Sequence, residues 1–239
     1  MSLLAVAEHT LEGLSARRAA LTERFAAVRA LSLELAAGLS DADASAQSMP
    51  DASPAKWHLA HTTWFFETFV LRDHVPDYAL FDKRWPFLFN SYYEAEGERI
   101  ARDRRGLITR PSLDDARAFR RHVDAVLGAA IAELDETALS IVELGCHHEE
   151  QHQELLLTDL LHLFAQNPLA PAAWPPASPP QPRAVEPIRW VDGKRGAVEI
   201  GQAGDGFAFD CEGPRHTVWL APHQLADRVV TNGEWRAFI

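Results

Sequence analysis

Eight prolines fall within residues 167–187 (NPLAPAAWPPASPPQPRAVEP) and divide the chain in two. Proline lacks a backbone N–H and has a fixed φ, so a run this dense enters neither a helix interior nor a central strand. The stretch is read as a stiff, extended linker. The sequence before residue 167 therefore has to build its own core, and its patterning differs from that of the sequence after residue 187.

Upstream, apolar residues recur at helical spacing. Residues 3–39 are rich in alanine and leucine and predict a long amphipathic helix. SDADASAQSMPDASP (40–54) is small and polar, a loop. Ser53 and Pro54 suit a helix start, with Ser53 as N-cap and Pro54 in the first turn. KWHLAHTTWFFETFVLRDH (56–74) carries apolar and aromatic residues on more than one face, which predicts a buried helix. Residues 75–111 lack periodicity and read as a long, structured loop. Ser112 caps a third helix over 113–134, and a fourth starts near Thr137 and runs to Gln166. A glycine inside a helix costs on the order of 1 kcal/mol relative to alanine, so Gly145 predicts a close helix contact. Residues 1–166 thus read as a four-helix bundle.

Downstream, IRWVDGKRGAVEIG (188–201) and HTVWLAPHQLADRVV (216–230) are short, rich in β-branched and aromatic residues, and broken by glycine and proline. They predict strands of a second, mostly β domain over 188–239, so the fold class is α+β. About fifty residues make a marginal β domain by themselves, and the sequence is expected to be the N-terminal part of a longer protein.

Composition narrows the function. The 239 residues carry a formal net charge of −11. An acidic surface repels phosphate backbones, which argues against nucleic acid as a partner. The two cysteines, Cys146 and Cys211, form no paired motif, so a reducing compartment fits better than a disulfide scaffold. The N-terminus lacks a signal-peptide pattern. No apolar run approaches the ~20 residues that span a bilayer. The expectation is a soluble, cytoplasmic protein.

The strongest chemical signal is His148-Glu-Glu-Gln-His152 on the fourth predicted helix. Residues four apart share a helix face, so the two imidazoles can address one ion. The string also fits H-E-x-x-H, with Glu149 as the general base of a zinc protease. The extended form of that motif fails, because Leu155 and Thr158 stand where glycine and histidine belong. Asp159 is the remaining downstream carboxylate. The second helix offers His58 and His61, three apart in Trp57-His58-Leu-Ala-His61. Bundle cores commonly hold metals between facing helices, and imidazole suits zinc, iron, copper and nickel alike.

SPAKWHLAHTTWFFE (53–67), FNSYYEAEGER (89–99), RRGLITRPS (104–112) and HHEEQHQELLLTDLL (147–161) together resemble the sulfoxide synthases of ergothioneine biosynthesis, whose N-terminal half is a DinB-like four-helix bundle. GFAFDCEGPRH (206–216) and VVTNGEW (229–235) resemble the opening of the formylglycine-generating-enzyme-like, C-type-lectin-like domain of that family. The resemblance implies an Fe(II) ion on His61, His148 and His152, with His58 as a hydrogen-bonded neighbour. It implies Gln151 as a contact for the histidine-betaine substrate, and Arg99, Arg102 and Arg105 as candidates for the carboxylates of the thiol. The implied reaction joins hercynine to cysteine or γ-glutamylcysteine with O2, forming a C–S bond and a sulfoxide. The family's catalytic tyrosine would lie beyond Ile239, so this stretch is expected to bind metal and turn over poorly. The competing readings are a DinB-like zinc-dependent thiol transferase or hydrolase, an ovothiol-type synthase, and a structural bundle with incidental histidines.

Overall fold

The computed structural model describes residues 3–175, 178, 185–204 and 206–239. The chain divides into two units, 1–176 and 177–239. The linker reading of 167–187 lies partly outside the described residues, at 176, 177 and 179–184.

The first unit is helical. Its elements are α1 (Leu3–Leu35), α2 (Asp41–Ser45), α3 (Ala55–Phe66), α4 (Trp85–Phe89), α5 (Leu113–Ala130) and α6 (Glu136–Ala165). α1, α3, α5 and α6 form a four-helix bundle, with α1 packed on α6, and α3 on both α5 and α6. All twelve residues of α3 are buried, which makes it the central helix. A π-helical turn, Glu67–Arg72, continues it and stays largely buried. The core gathers Phe25 of α1, Trp64 and Phe66 of α3, Phe119 of α5 and Val142 of α6.

Several boundaries differ from the sequence reading. The N-cap of α3 is Pro54, not Ser53, and it makes no side-chain cap. Ser53 is drawn away instead: its N–H donates to Asp159 Oδ2 at 2.8 Å and its hydroxyl accepts from Arg105 at 2.9 Å. The loop 40–54 contains α2, because Ser40 and Asp43 form a reciprocal capping box. The loop 75–111 contains α4 and two 3₁₀ segments, Glu94–Glu96 and Arg102–Leu107. Ser112 and Asp115 cap α5 in the same reciprocal way, and Asp135 caps α6.

Gly145 sits where α6 meets α3. A Cβ at that position would lie 2.7 Å from Cζ of Phe66, a ring that is fully buried and edge-on to Phe25 at 5.0 Å. Overpacking costs about 1–3 kcal/mol, and the helix-propensity gain of alanine returns at most about 1 kcal/mol. Gly145→Ala is therefore expected to destabilise the unit by about 1–2 kcal/mol in urea unfolding. A stabilised variant would show that the contact is loose.

The second unit holds two antiparallel pairs. β1 (Trp190–Asp192) pairs with β4 (Gln224–Ala226), and β2 (Gly196–Ile200) pairs with β3 (His216–Leu220) with Val198 opposite Val218. A short α7 (Asn232–Phe238) follows, capped by Thr231 and Glu234. Among its described residues none is buried. Trp219 and Phe238 are about four-fifths exposed, at 80% and 78%.

Candidate metal centre

Three imidazoles meet between α3 and α6. The spacing of His148 and His152 puts both on the face of α6 that looks at α3, where His61 meets them. Their ring centroids lie 5.0 Å (His61–His148), 4.7 Å (His61–His152) and 4.6 Å (His148–His152) apart. One nitrogen from each falls within 4.8 Å of the others. His61 is held by its surroundings. Its Nδ1–H donates to the Phe89 carbonyl at 2.6 Å, which leaves Nε2 with a free lone pair. Trp57 stacks on it at 4.5 Å and Trp64 at 5.5 Å, a consequence of the 57, 61, 64 spacing along one helix row.

The site favours neutral histidines. Burial, reinforced by His148, pushes the His61 pKa well below the usual histidine range. Burial pushes His148 down to about 4. For His152, burial and then His61 and His58 act in the same direction. Neutral imidazoles with free lone pairs are what a transition-metal ion requires. His148 Nδ1 is buried without a hydrogen-bond partner among the described residues, a cost that a bound ion at this cluster would help explain. The donor set thus fits a three-histidine ion, which leaves coordination positions open.

His58, the other histidine of α3, stands behind the cluster. Its Nδ1 lies 2.9 Å from Nδ1 of His152 and its Nε2 lies 2.9 Å from Asp159 Oδ2.

Glu149 is held by partners other than the three imidazoles. It is 1% exposed and forms the hub of a buried ionic cluster. Arg120 of α5 donates to it at 2.5 Å, Arg29 of α1 at 2.8 Å and Ser32 at 2.5 Å. Arg29 also donates to Asp124 of α5 and Thr63 of α3. Burial would raise the Glu149 pKa, but Arg120 and Arg29 outweigh it and hold it down at about 2. A carboxylate clamped by two guanidiniums is no general base, so the zinc-protease use of H-E-x-x-H is ruled out.

The histidines open into a cleft of roughly 270 Å³, walled by Trp57, Ser91, Tyr92, Tyr93, Leu155 and Asp159, with Arg102 and Arg105 at its side. Arg105 is 4% exposed, and among the described residues no carboxylate is hydrogen-bonded to it. Its two terminal nitrogens donate to Ser53 and Ser91 at 2.9 and 3.0 Å, its Nε has no partner among the described residues, and its guanidinium carbon lies 3.4 Å from the centre of the Trp57 ring. Burial, and then Arg102, lowers its pKa to about 10. Arg102 is exposed and bonded to Tyr92 and the Asp51 carbonyl. Two residues expected at the site are not in the cleft wall. Arg99 lies 5.7 Å from the Tyr92 ring, and Gln151 is exposed beside His152. The sequence reading missed Tyr92 and Tyr93, although the YY pair lies in a segment it singled out; Tyr93 packs 5.4 Å from Trp64 and 6.5 Å from His61.

The model of the DinB superfamily matches residues 24–156, which include all three histidines of the cluster. The chain belongs to the DinB superfamily. This DinB chain is also similar to curated proteins named hercynine oxygenase. It is 30% identical to that of Mycolicibacterium smegmatis over 224 residues, 93% of this chain and 50% of the relative. It is 29% identical to that of Mycolicibacterium thermoresistibile (83% of this chain, 43% of the relative) and 31% identical to that of Mycobacterium tuberculosis (83% and 45%). The chain spans about half the length of the curated relatives it matches. Among its described residues no helix is long and apolar enough to cross a membrane.

Proposed function

We propose that His61, His148 and His152 hold one Fe(II) ion, and that the chain serves an O2-dependent sulfoxide synthesis joining hercynine to cysteine or γ-glutamylcysteine. The observation that carries this reading is the three-histidine cluster at the base of a cleft whose wall holds a buried arginine that, among the described residues, is hydrogen-bonded to no carboxylate. The similarity to hercynine oxygenases supports it. When bound, the ion supplies open positions for the thiol and O2 and the redox chemistry that zinc lacks. In the balanced reaction the thiol hydrogen and the imidazole ring hydrogen leave as water with one oxygen atom, and the other oxygen stays on sulfur.

The chain's own residues bind and orient. Arg105, assisted by Arg102, receives a carboxylate of the thiol, because its terminal nitrogens are bonded only to serine hydroxyls among the described residues and a carboxylate makes a stronger, charge-assisted partner. Trp57 and Tyr93 narrow the cleft and exclude water. Gln151 and Arg99 are outer contacts, Gln151 toward the hercynine betaine. Residues 1–166 form the metal-holding domain, 167–187 the linker, and 188–239 the start of a formylglycine-generating-enzyme-like domain. The free cysteines, Cys146 and Cys211, suit a cytoplasmic setting.

The test is anaerobic Fe(II) loading of the wild-type chain and of His61→Ala, His148→Ala and His152→Ala. One iron per wild-type chain, with stoichiometric binding lost in each variant, is the expected result. A site that takes zinc and excludes iron would move the assignment to a DinB-like zinc-dependent thiol transferase or hydrolase.

A further inference from the structure

Three ligands do not account for the hydrogen bond between His152 and a fourth histidine. The geometry points to His58 and Asp159 as a positioning pair that fixes the tautomer and ring orientation of His152, an inference that rests on the three-histidine reading above.

The direction of each hydrogen bond follows from the groups involved. Asp159 as a carboxylate only accepts, so His58 donates to it from Nε2. A neutral His58 then has a bare Nδ1, and the proton shared with the ring 2.9 Å away comes from His152 Nδ1. His152 is thereby the Nδ1–H tautomer with its lone pair on Nε2. The reverse polarity, with His58 donating, would put the His152 proton on Nε2 and leave no lone pair for an ion. His61 reaches the same state by another route, through the Phe89 carbonyl.

The pair is built into the fold. Asp159 follows His152 by seven residues, two helical turns, and so lies on the same face of α6. Its Oδ2 also accepts the backbone N–H of Ser53, so one carboxylate oxygen anchors both the entry to α3 and the His58 ring. His58 is 3% exposed, and its bonds are shielded from competing water. Partners that orient a ligating histidine are worth about 10–100-fold in metal affinity. His58 acts through His152 and is a positioning residue.

The test uses the full chain, wild type and with His58→Phe, His58→Gln or Asp159→Leu. Nitrogen-15 NMR of the metal-free chain reads the His152 tautomer, and optical titration with Co(II) reads affinity. The wild type is expected to show Nδ1–H at His152. His58→Phe, which offers no acceptor, is expected to lose that preference and to bind Co(II) about 10–100-fold more weakly at the same stoichiometry. His58→Gln restores an acceptor oxygen and recovers part of both signals. If His58→Phe does not fold, Asp159→Leu makes the same comparison by freeing His58 to change tautomer. An unchanged tautomer and unchanged affinity in the folded variants would overturn the positioning role. A wild-type chain that binds no Co(II), or binding that survives His148→Ala, would overturn the three-histidine reading instead.

Discussion

Replacing Glu149 with alanine or glutamine lowers the stability of the N-terminal unit by about 3–5 kcal/mol, the cost of leaving buried charge without its counter-ion. The two guanidiniums that converge on this carboxylate are 2% and 0% exposed and cannot turn to water. Glutamine keeps the shape and removes the charge, so similar losses in both variants would identify electrostatics rather than packing as the cause. The cluster joins α1, α3, α5 and α6 through Arg29, Thr63, Arg120 and Glu149, so its loss loosens every helix of the bundle at once. Urea unfolding with an unchanged m-value checks this. A loss under about 1 kcal/mol in both variants would show that the cluster is not an organising contact.

On the proposed function, Arg105→Leu is expected to weaken binding of γ-glutamylcysteine on the order of 10²-fold, about 2–4 kcal/mol. The guanidinium is already desolvated and already oriented by two serine hydroxyls and the Trp57 ring, so little of its binding energy is spent on ordering it. Arg102 is exposed, and an exposed ion pair contributes about 0–1 kcal/mol. Arg102→Ala is accordingly expected to weaken binding less than about fivefold. Calorimetric titration of the iron-loaded chain without oxygen compares the two. A large effect at Arg102 with none at Arg105 would sink the assignment of the anion site.

Much of the bundle is legible in the sequence because its signals are local. Ser112 and Asp115 sit three apart and close a capping box in the structure. Gly145 marks a place where a side chain on α6 would strike Phe66. The pairing of His148 with His152 needs only helical periodicity. What escapes the sequence depends on contacts between distant segments. Ser53 has the right chemistry for an N-cap, but Asp159 and Arg105 engage it first. Glu149 looks like a catalytic base until Arg29 and Arg120 arrive from two other helices. Tyr92 and Tyr93 reach the cleft through a non-periodic segment, where no repeat predicts which side chains turn inward.

The carbonyl of Phe89 that holds His61 begins the same stretch of chain that carries Tyr92, Tyr93, Arg102 and Arg105. One backbone oxygen therefore ties a wall of the cleft to a ring of the three-histidine cluster, so the two cannot shift independently without breaking that bond.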